Sequence, residues 1–144
     1  MASDQTKVSK IFIDSSVLIA ASISPKGSAR DLILSSIRGE YEIIISDLVI
    51  EETRRNLGEK APEALPALQL FLESLNPEVI KPSKSLVTKA AKIIDLKDAP
   101  IVAAAISSKA DYLVSFDRKH LLYHKRELKE DFELKVVTPD EMIK

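Results

Sequence analysis

Asp14, Glu52, Asp98 and Asp117 lie far apart along the chain, yet each falls where an α/β fold would carry it to one edge of a common sheet. Asp14 ends the apolar run Ile11-Phe12-Ile13, and Asp117 follows Tyr112-Leu113-Val114-Ser115-Phe116. In a parallel sheet the carboxyl ends of such strands line the crevice where ligands bind. Glu52 and Asp98 fall on helices that start beside that crevice. Carboxylates gathered this way repel one another by roughly 4 kcal/mol per pair at about 4 Å and an effective dielectric of about 20. Protons or cations must offset that charge, and the hard cations Mg²⁺ or Mn²⁺ suit an oxygen ligand set.

Each acid also has a plainer reading as a helix cap, because Asp at a strand-to-helix junction accepts an orphan backbone N–H. The set is more specific than its members. Residues three and four apart share a helix face, so Glu52, one turn after Leu48 and Val49, points inward. Glu51 pairs instead with Arg54 and Arg55 and reads as surface. Asp98 heads the stripe Ile101, Val102, Ala105 and Ile106, with its carboxylate at a helix N-terminus, where the helix dipole favours negative charge. Asp95 reads as a loop acid, with a supporting partner of the ligating carboxylates as the alternative; Asp47 reads as the cap of the helix that carries Glu52, and Asp111 as lying at the far end of its strand. His120 and His124 read as surface histidines in a basic stretch, with one of them orienting a substrate as the alternative, and without a His-Glu-x-x-His pattern a zinc hydrolase is not supported.

Short apolar runs of β type alternate with longer helical patterns, which predicts βαβ units and a parallel sheet. The predicted strands are Lys10 to Ile13, Tyr41 to Ile45, Glu78 to Lys81, Tyr112 to Ser115 and Leu134 to Val137. Helices are predicted from Ser15 to Ile23, Ser28 to Arg38, Asp47 to Leu57, Glu63 to Leu75, Ser83 to Ile94 and Asp98 to Lys109. Thr138-Pro139-Asp140-Glu141 reads as a capping box opening a short final helix. Leu65, Leu68, Leu72 and Leu75 form an apolar stripe that is read as core packing, with a homodimer or partner-helix surface as the alternative.

The 144 residues, 45% hydrophobic and 30% charged, fit one soluble domain spanning residues 1–144 with a substantial core. With no cysteine there is no disulfide, thiol nucleophile or cysteine-held metal, and the cytoplasm is the expected compartment. No apolar run approaches the roughly 18 residues of a membrane span, so no membrane association is expected. A net charge of −1 argues against gripping nucleic acid by bulk charge but allows local basic patches.

Four segments resemble the PIN-domain ribonucleases, a superfamily that includes the toxins of VapBC-type toxin–antitoxin pairs. They are Ile11 to Ile19, Ile45 to Glu52, Asp95 to Ala105 and Tyr112 to Asp117. Phe116 departs from the pattern, since many relatives carry a small or basic residue there. The resemblance implies an α/β three-layer sandwich with a five-stranded parallel sheet in the order 3-2-1-4-5. It also implies a metal-dependent endoribonuclease in which Asp14, Glu52, Asp98 and Asp117 hold one or two Mg²⁺ or Mn²⁺ ions and water attacks the phosphodiester to leave a 5′-phosphate. RNA is the implied substrate, and an antitoxin a possible partner. Ser15, Ser46, Arg55, Ser115 and Arg118 are candidate substrate contacts, with Arg30, Arg54 and Lys119 as further basic candidates; the Ser46 and Ser115 hydroxyls, near the ends of their strands, could equally bond a ligating carboxylate or cap a helix. The alternative is a catalytically silent PIN module that binds RNA or protein. A receiver domain is disfavoured by Lys81-Pro82 after the third strand, and a haloacid-dehalogenase-type phosphatase by Ser16 two residues after Asp14.

Overall fold

The computed structural model describes residues 8–143. The chain runs β1 (Ser9–Ile13), α1 (Ser15–Ile23), α2 (Ser28–Ile37), β2 (Tyr41–Ser46), α3 (Asp47–Lys60), a 3₁₀ turn (Pro62–Ala64), α4 (Leu65–Leu75) and β3 (Glu78–Ile80). It continues through α5 (Lys84–Ala90), α6 (Ala99–Ser107), β4 (Tyr112–Val114), α7 (Lys125–Phe132), β5 (Lys135–Val137) and α8 (Pro139–Met142). The five strands form one parallel sheet in the order β3-β2-β1-β4-β5, as expected.

Successive residues of a strand face opposite sides of the sheet. Ile11, Phe12 and Ile13 are nonetheless all 0% exposed, so helices cover β1 on both faces. That is the sandwich arrangement of a parallel sheet, and it explains why the central strands read as continuous apolar runs rather than alternating ones. Two helix groups emerge from the packing, α1 to α4 against one another and α5 against α6. Ala103, Ala104 and Ala105 on α6 are fully buried, small enough to bring that helix close to its neighbours.

The chain leaves β1 toward β2 and β3, then returns to place β4 on the other side of β1. Adjacent strands whose connections depart in opposite directions open a crevice at their carboxyl ends. The register Ile13↔Val114 sets Asp14 and Ser115 one residue beyond the last pair of β1 and β4. Asp111 lies at the opposite end, where its Oδ2 accepts the Lys10 N–H at 2.8 Å.

Local signals explain most boundaries. Gly39 adopts φ +89° just after α2, and its N–H bonds the Ser36 carbonyl at 2.9 Å, a left-handed exit that glycine takes without a Cβ penalty. The Thr138 N–H donates to Glu141 Oε1 at 2.8 Å, completing the capping box expected there. The stretch predicted as one helix from Glu63 begins as a 3₁₀ turn, with α4 opening at Leu65 and Pro66 in its first turn. Leu68 and Phe71 of α4 are buried, and Leu65, Leu72 and Leu75 pack partly buried against the core. The helix predicted to reach Ile94 stops at Ala90 and continues as turns. Helix α7 has no counterpart in the sequence reading: Lys125–Phe132 is so charged that its inward face reduces to buried Leu128 and partly buried Phe132, a stripe of two residues that is too short to stand out.

The assignment of Asp47 as cap of α3 is corrected. Ser46 is the N-cap, its Oγ accepting the Val49 N–H at 3.1 Å, whereas exposed Asp47 takes the first helical position and bonds the adjacent Leu48 N–H. Ser46 ends β2 in an extended conformation, and a hydroxyl is compact enough to turn back onto the helix while 1% exposed. Ser46→Ala should therefore lower the unfolding free energy by about 1 kcal/mol, with Asp47→Ala costing less than about half as much. Urea denaturation of both variants measures this, and a larger loss from Asp47→Ala would reverse the assignment.

Candidate functional site

Asp14 leaves β1 and caps α1, its Oδ1 accepting the Val17 N–H at 3.3 Å. The side chain is 4% exposed, so its charge is removed from water. Two hydroxyls partly replace that water. Ser16 donates to Oδ1 at 2.6 Å, and Ser115 donates to Oδ2. Both serine oxygens accept in turn from the backbone leaving β4: Ser16 from the Phe116 N–H at 3.0 Å, Ser115 from the Asp117 N–H at 2.9 Å.

The other three acids arrive from separate elements. Glu52 projects half-buried from α3, and Ser15 donates to its Oε1 at 2.6 Å. Glu51 is exposed, as its helical position predicts. Asp98 stands at the N-terminus of α6, 8% exposed, and its Oδ2 is buried without a hydrogen-bond partner. Asp117 is half-buried beyond β4 and accepts the His120 backbone N–H at 3.1 Å. Asp14, Glu52, Asp98 and Asp117 all line one cleft of about 350 Å³, together with Lys97 and Phe116.

Burial acts against ionisation. It pushes the Asp14 carboxyl up to about 6; the Ser115, Ser16 and Val17 bonds pull it back, and the charge of Asp117 adds to the rise. Asp98 is likewise raised, first by burial, with His120 and Lys97 opposing and Asp117 and Asp95 reinforcing. The orphaned Asp98 oxygen matters most, because a buried acceptor without a donor is costly. A hard divalent cation satisfies such an oxygen and offsets its neighbours, so this all-oxygen set fits Mg²⁺ or Mn²⁺.

A family model for the PIN domain matches residues 10–119, a span containing all four acids. The chain belongs to the PIN domain family. No curated protein matches it closely in sequence. Among solved structures, this PIN domain is similar to VapBC2 from Rickettsia felis bound to a DNA fragment from their promoter, at 20% identity and a TM-score of 0.64, covering 90% of this chain and 98% of that one. PAE2754 from Pyrobaculum aerophilum shares 20% identity with a TM-score of 0.65, over 93% of this chain and 86% of that one. VapBC-1 from nontypeable Haemophilus influenzae is similar at 16% identity and a TM-score of 0.59, over 91% and 98%. At these identities the likeness is one of fold.

The remaining candidates divide. Ser15 lines the cleft and holds Glu52, and buried Ser115 holds Asp14. Ser46 is occupied by its cap, while Arg55 and Arg118 are exposed and outside the cleft lining. Arg54 and Lys119 are exposed as well. Arg30 is structural, donating from Nε to the Ala21 carbonyl at 2.7 Å with its guanidinium 4.9 Å from the Phe71 ring centroid.

Three residues escaped the sequence reading. Lys97, next to Asp98 in sequence, lines the cleft, and its charge acts on Asp98. Ser16, which enters the sequence reading only as the residue two after Asp14, holds the buried carboxylate. His120 presents Nδ1 3.2 Å from Asp117 Oδ2, and Asp95 Oδ2 lies 3.8 Å from its Nε2. The one available signal was the spacing of three between Asp117 and His120.

The Asp14 shift carries a definite sign. In the cation-free protein the folded carboxyl titrates near 6 and the unfolded one near 3.8, so between those pH values the folded state holds the extra proton. Unfolding free energy should therefore fall as pH rises through this window, by about 3 kcal/mol in full. Asp14→Asn, which keeps a capping oxygen, should be more stable than wild type in chelator at pH 8 and lose that advantage by pH 4. Equal stability differences at both pH values in urea unfolding would contradict it.

Proposed function

We propose that this PIN domain is a Mg²⁺- or Mn²⁺-dependent endoribonuclease acting in the cytoplasm as the toxin of a toxin–antitoxin pair. One observation carries the catalytic reading: four carboxylates from four distant segments line a single cleft, and one of their buried oxygens lacks a donor. Family membership supports RNA as substrate, and the likeness in fold to VapBC2 and VapBC-1 supports an antitoxin partner. A homodimer is compatible with both.

Asp14, Glu52, Asp98 and Asp117 would hold the cation, which when bound activates water for in-line attack on the phosphodiester and offsets charge on the phosphoryl and leaving oxygens. The chain's own groups prepare that reaction. Ser16, Ser115 and the Val17 N–H fix both oxygens of Asp14, and Ser15 fixes Glu52, so the ligand set is held before substrate arrives. Lys97 supplies a positive charge at the cleft for a phosphate oxygen, and exposed Phe116 offers a ring beside it on which a base can stack. Arg55 and Arg118, outside the cleft, would meet the RNA backbone farther along. Such contacts position a strand without reading its sequence.

Asp14→Asn and Asp98→Asn, each verified as folded, should cut RNA at least ~100-fold more slowly than wild type in Mg²⁺ or Mn²⁺, a barrier change of about 3 kcal/mol. Undiminished cleavage by either variant would overturn the assignment. Retention of intact RNA by the wild type, independent of divalent ions, would identify a binding module instead. Glu52→Gln should slow cleavage strongly and Glu51→Gln little, a contrast that single-turnover rates resolve.

A further inference from the structure

Beside the four-carboxylate cleft, Asp95, Asp98 and His120 each offer a ligand atom, and these atoms lie within 4.8 Å of one another. The group differs from the cleft in carrying a nitrogen. His120 is half-buried, with its Nδ1 3.2 Å from Asp117 Oδ2. An ionised carboxylate only accepts, so Nδ1 carries the hydrogen toward Asp117, and in the neutral ring the Nε2 lone pair faces Asp95 at 3.8 Å. A histidine that donates one ring N–H to a carboxylate and presents the other nitrogen outward is the usual pose of a metal-ligating imidazole. The third member is the 8%-exposed Asp98, whose Oδ2 has no hydrogen-bond partner and lies 3.9 Å from His120 Nδ1, so it reaches an ion at Nε2 only by a small turn of the ring or carboxylate. Two ligands about 2.1 Å from one ion are separated by roughly the gap seen between His120 and Asp95.

We propose that Asp95, Asp98 and His120 form a second divalent-cation site, sharing Asp98 with the cleft, that takes a transition-row ion such as Zn²⁺ or Co²⁺ in preference to Mg²⁺. The selectivity follows from ligand chemistry: imidazole suits the later transition-row ions, whereas Mg²⁺ favours oxygen and holds its water. The site goes beyond the nuclease reading and needs only its own three side chains.

The sequence holds two histidines, so the imidazole resonances of the ¹⁵N-labelled protein are few and His124 serves as an internal control. On titration with ZnCl₂, the His120 Nε2 signal should shift to saturation and the His124 signal should not. Excess MgCl₂ should leave the shift in place. His120→Asn should weaken Zn²⁺ affinity roughly tenfold or more by calorimetry, while Asp14→Asn, outside the triplet, should retain the His120 shift. A His120 ring unmoved by Zn²⁺, or Zn²⁺ displaced by Mg²⁺ as readily as from the His120→Asn variant, would overturn the site. RNA cleavage measured on the same samples separates the two readings. A shift without cleavage removes the nuclease assignment and leaves the site, and cleavage with an unmoved ring removes the site alone.

Discussion

A carboxylate 4% exposed must recruit donors or surrender its charge, and Asp14 recruits three from two different parts of the chain. Val17 and Ser16 belong to the helix that Asp14 itself begins. Ser115 directly follows β4, 101 residues after Asp14 in the chain. The β1–β4 register makes the meeting possible, because Ile13 opposite Val114 leaves Asp14 and Ser115 side by side just past the sheet. Since Ser16 and Ser115 also accept from the Phe116 and Asp117 N–H groups, the two strand exits are laced together through one carboxylate. The position of Asp117 follows from that lacing.

The acids differ in how far the protein satisfies them. Asp14 accepts three hydrogen bonds and keeps room on Oδ2 for one further partner, Glu52 has a serine hydroxyl and Asp117 has the His120 backbone and ring. Asp98 alone is buried with an oxygen left over. In a fold held together by a margin of a few kcal/mol, such a gap is expected where a ligand rather than the chain completes the arrangement. Lys97 and His120 lower the local cost in the cation-free protein without matching the charge of four carboxylates. The cleft is thus a place where the chain alone leaves a buried acceptor unsatisfied.

Periodicity was enough to place most elements and to separate Glu52 from Glu51, because a helix face is a local property set by residues three and four apart. It failed at α7, where high charge reduced the stripe to Leu128 and Phe132, and at Asp47, where adjacent Ser46 and Asp47 are both good caps and only backbone conformation chooses between them. Pro66 allowed the 3₁₀ start before α4 to pass as helix.

By itself the sequence determined the alternation of strands and helices, the parallel sheet implied by its apolar runs, three acids at strand and helix ends, and Glu52 on the inward face of a helix. These are short-range matters, settled by side-chain period and by capping chemistry. Only the tertiary structure decided that Ser16 and Ser115 share one carboxylate, that Lys97 lines the cleft, that Arg30 is structural, and that His120 sits among Asp95, Asp98 and Asp117. Those relations depend on strand register and on the direction in which each side chain leaves its backbone, and a linear pattern carries neither.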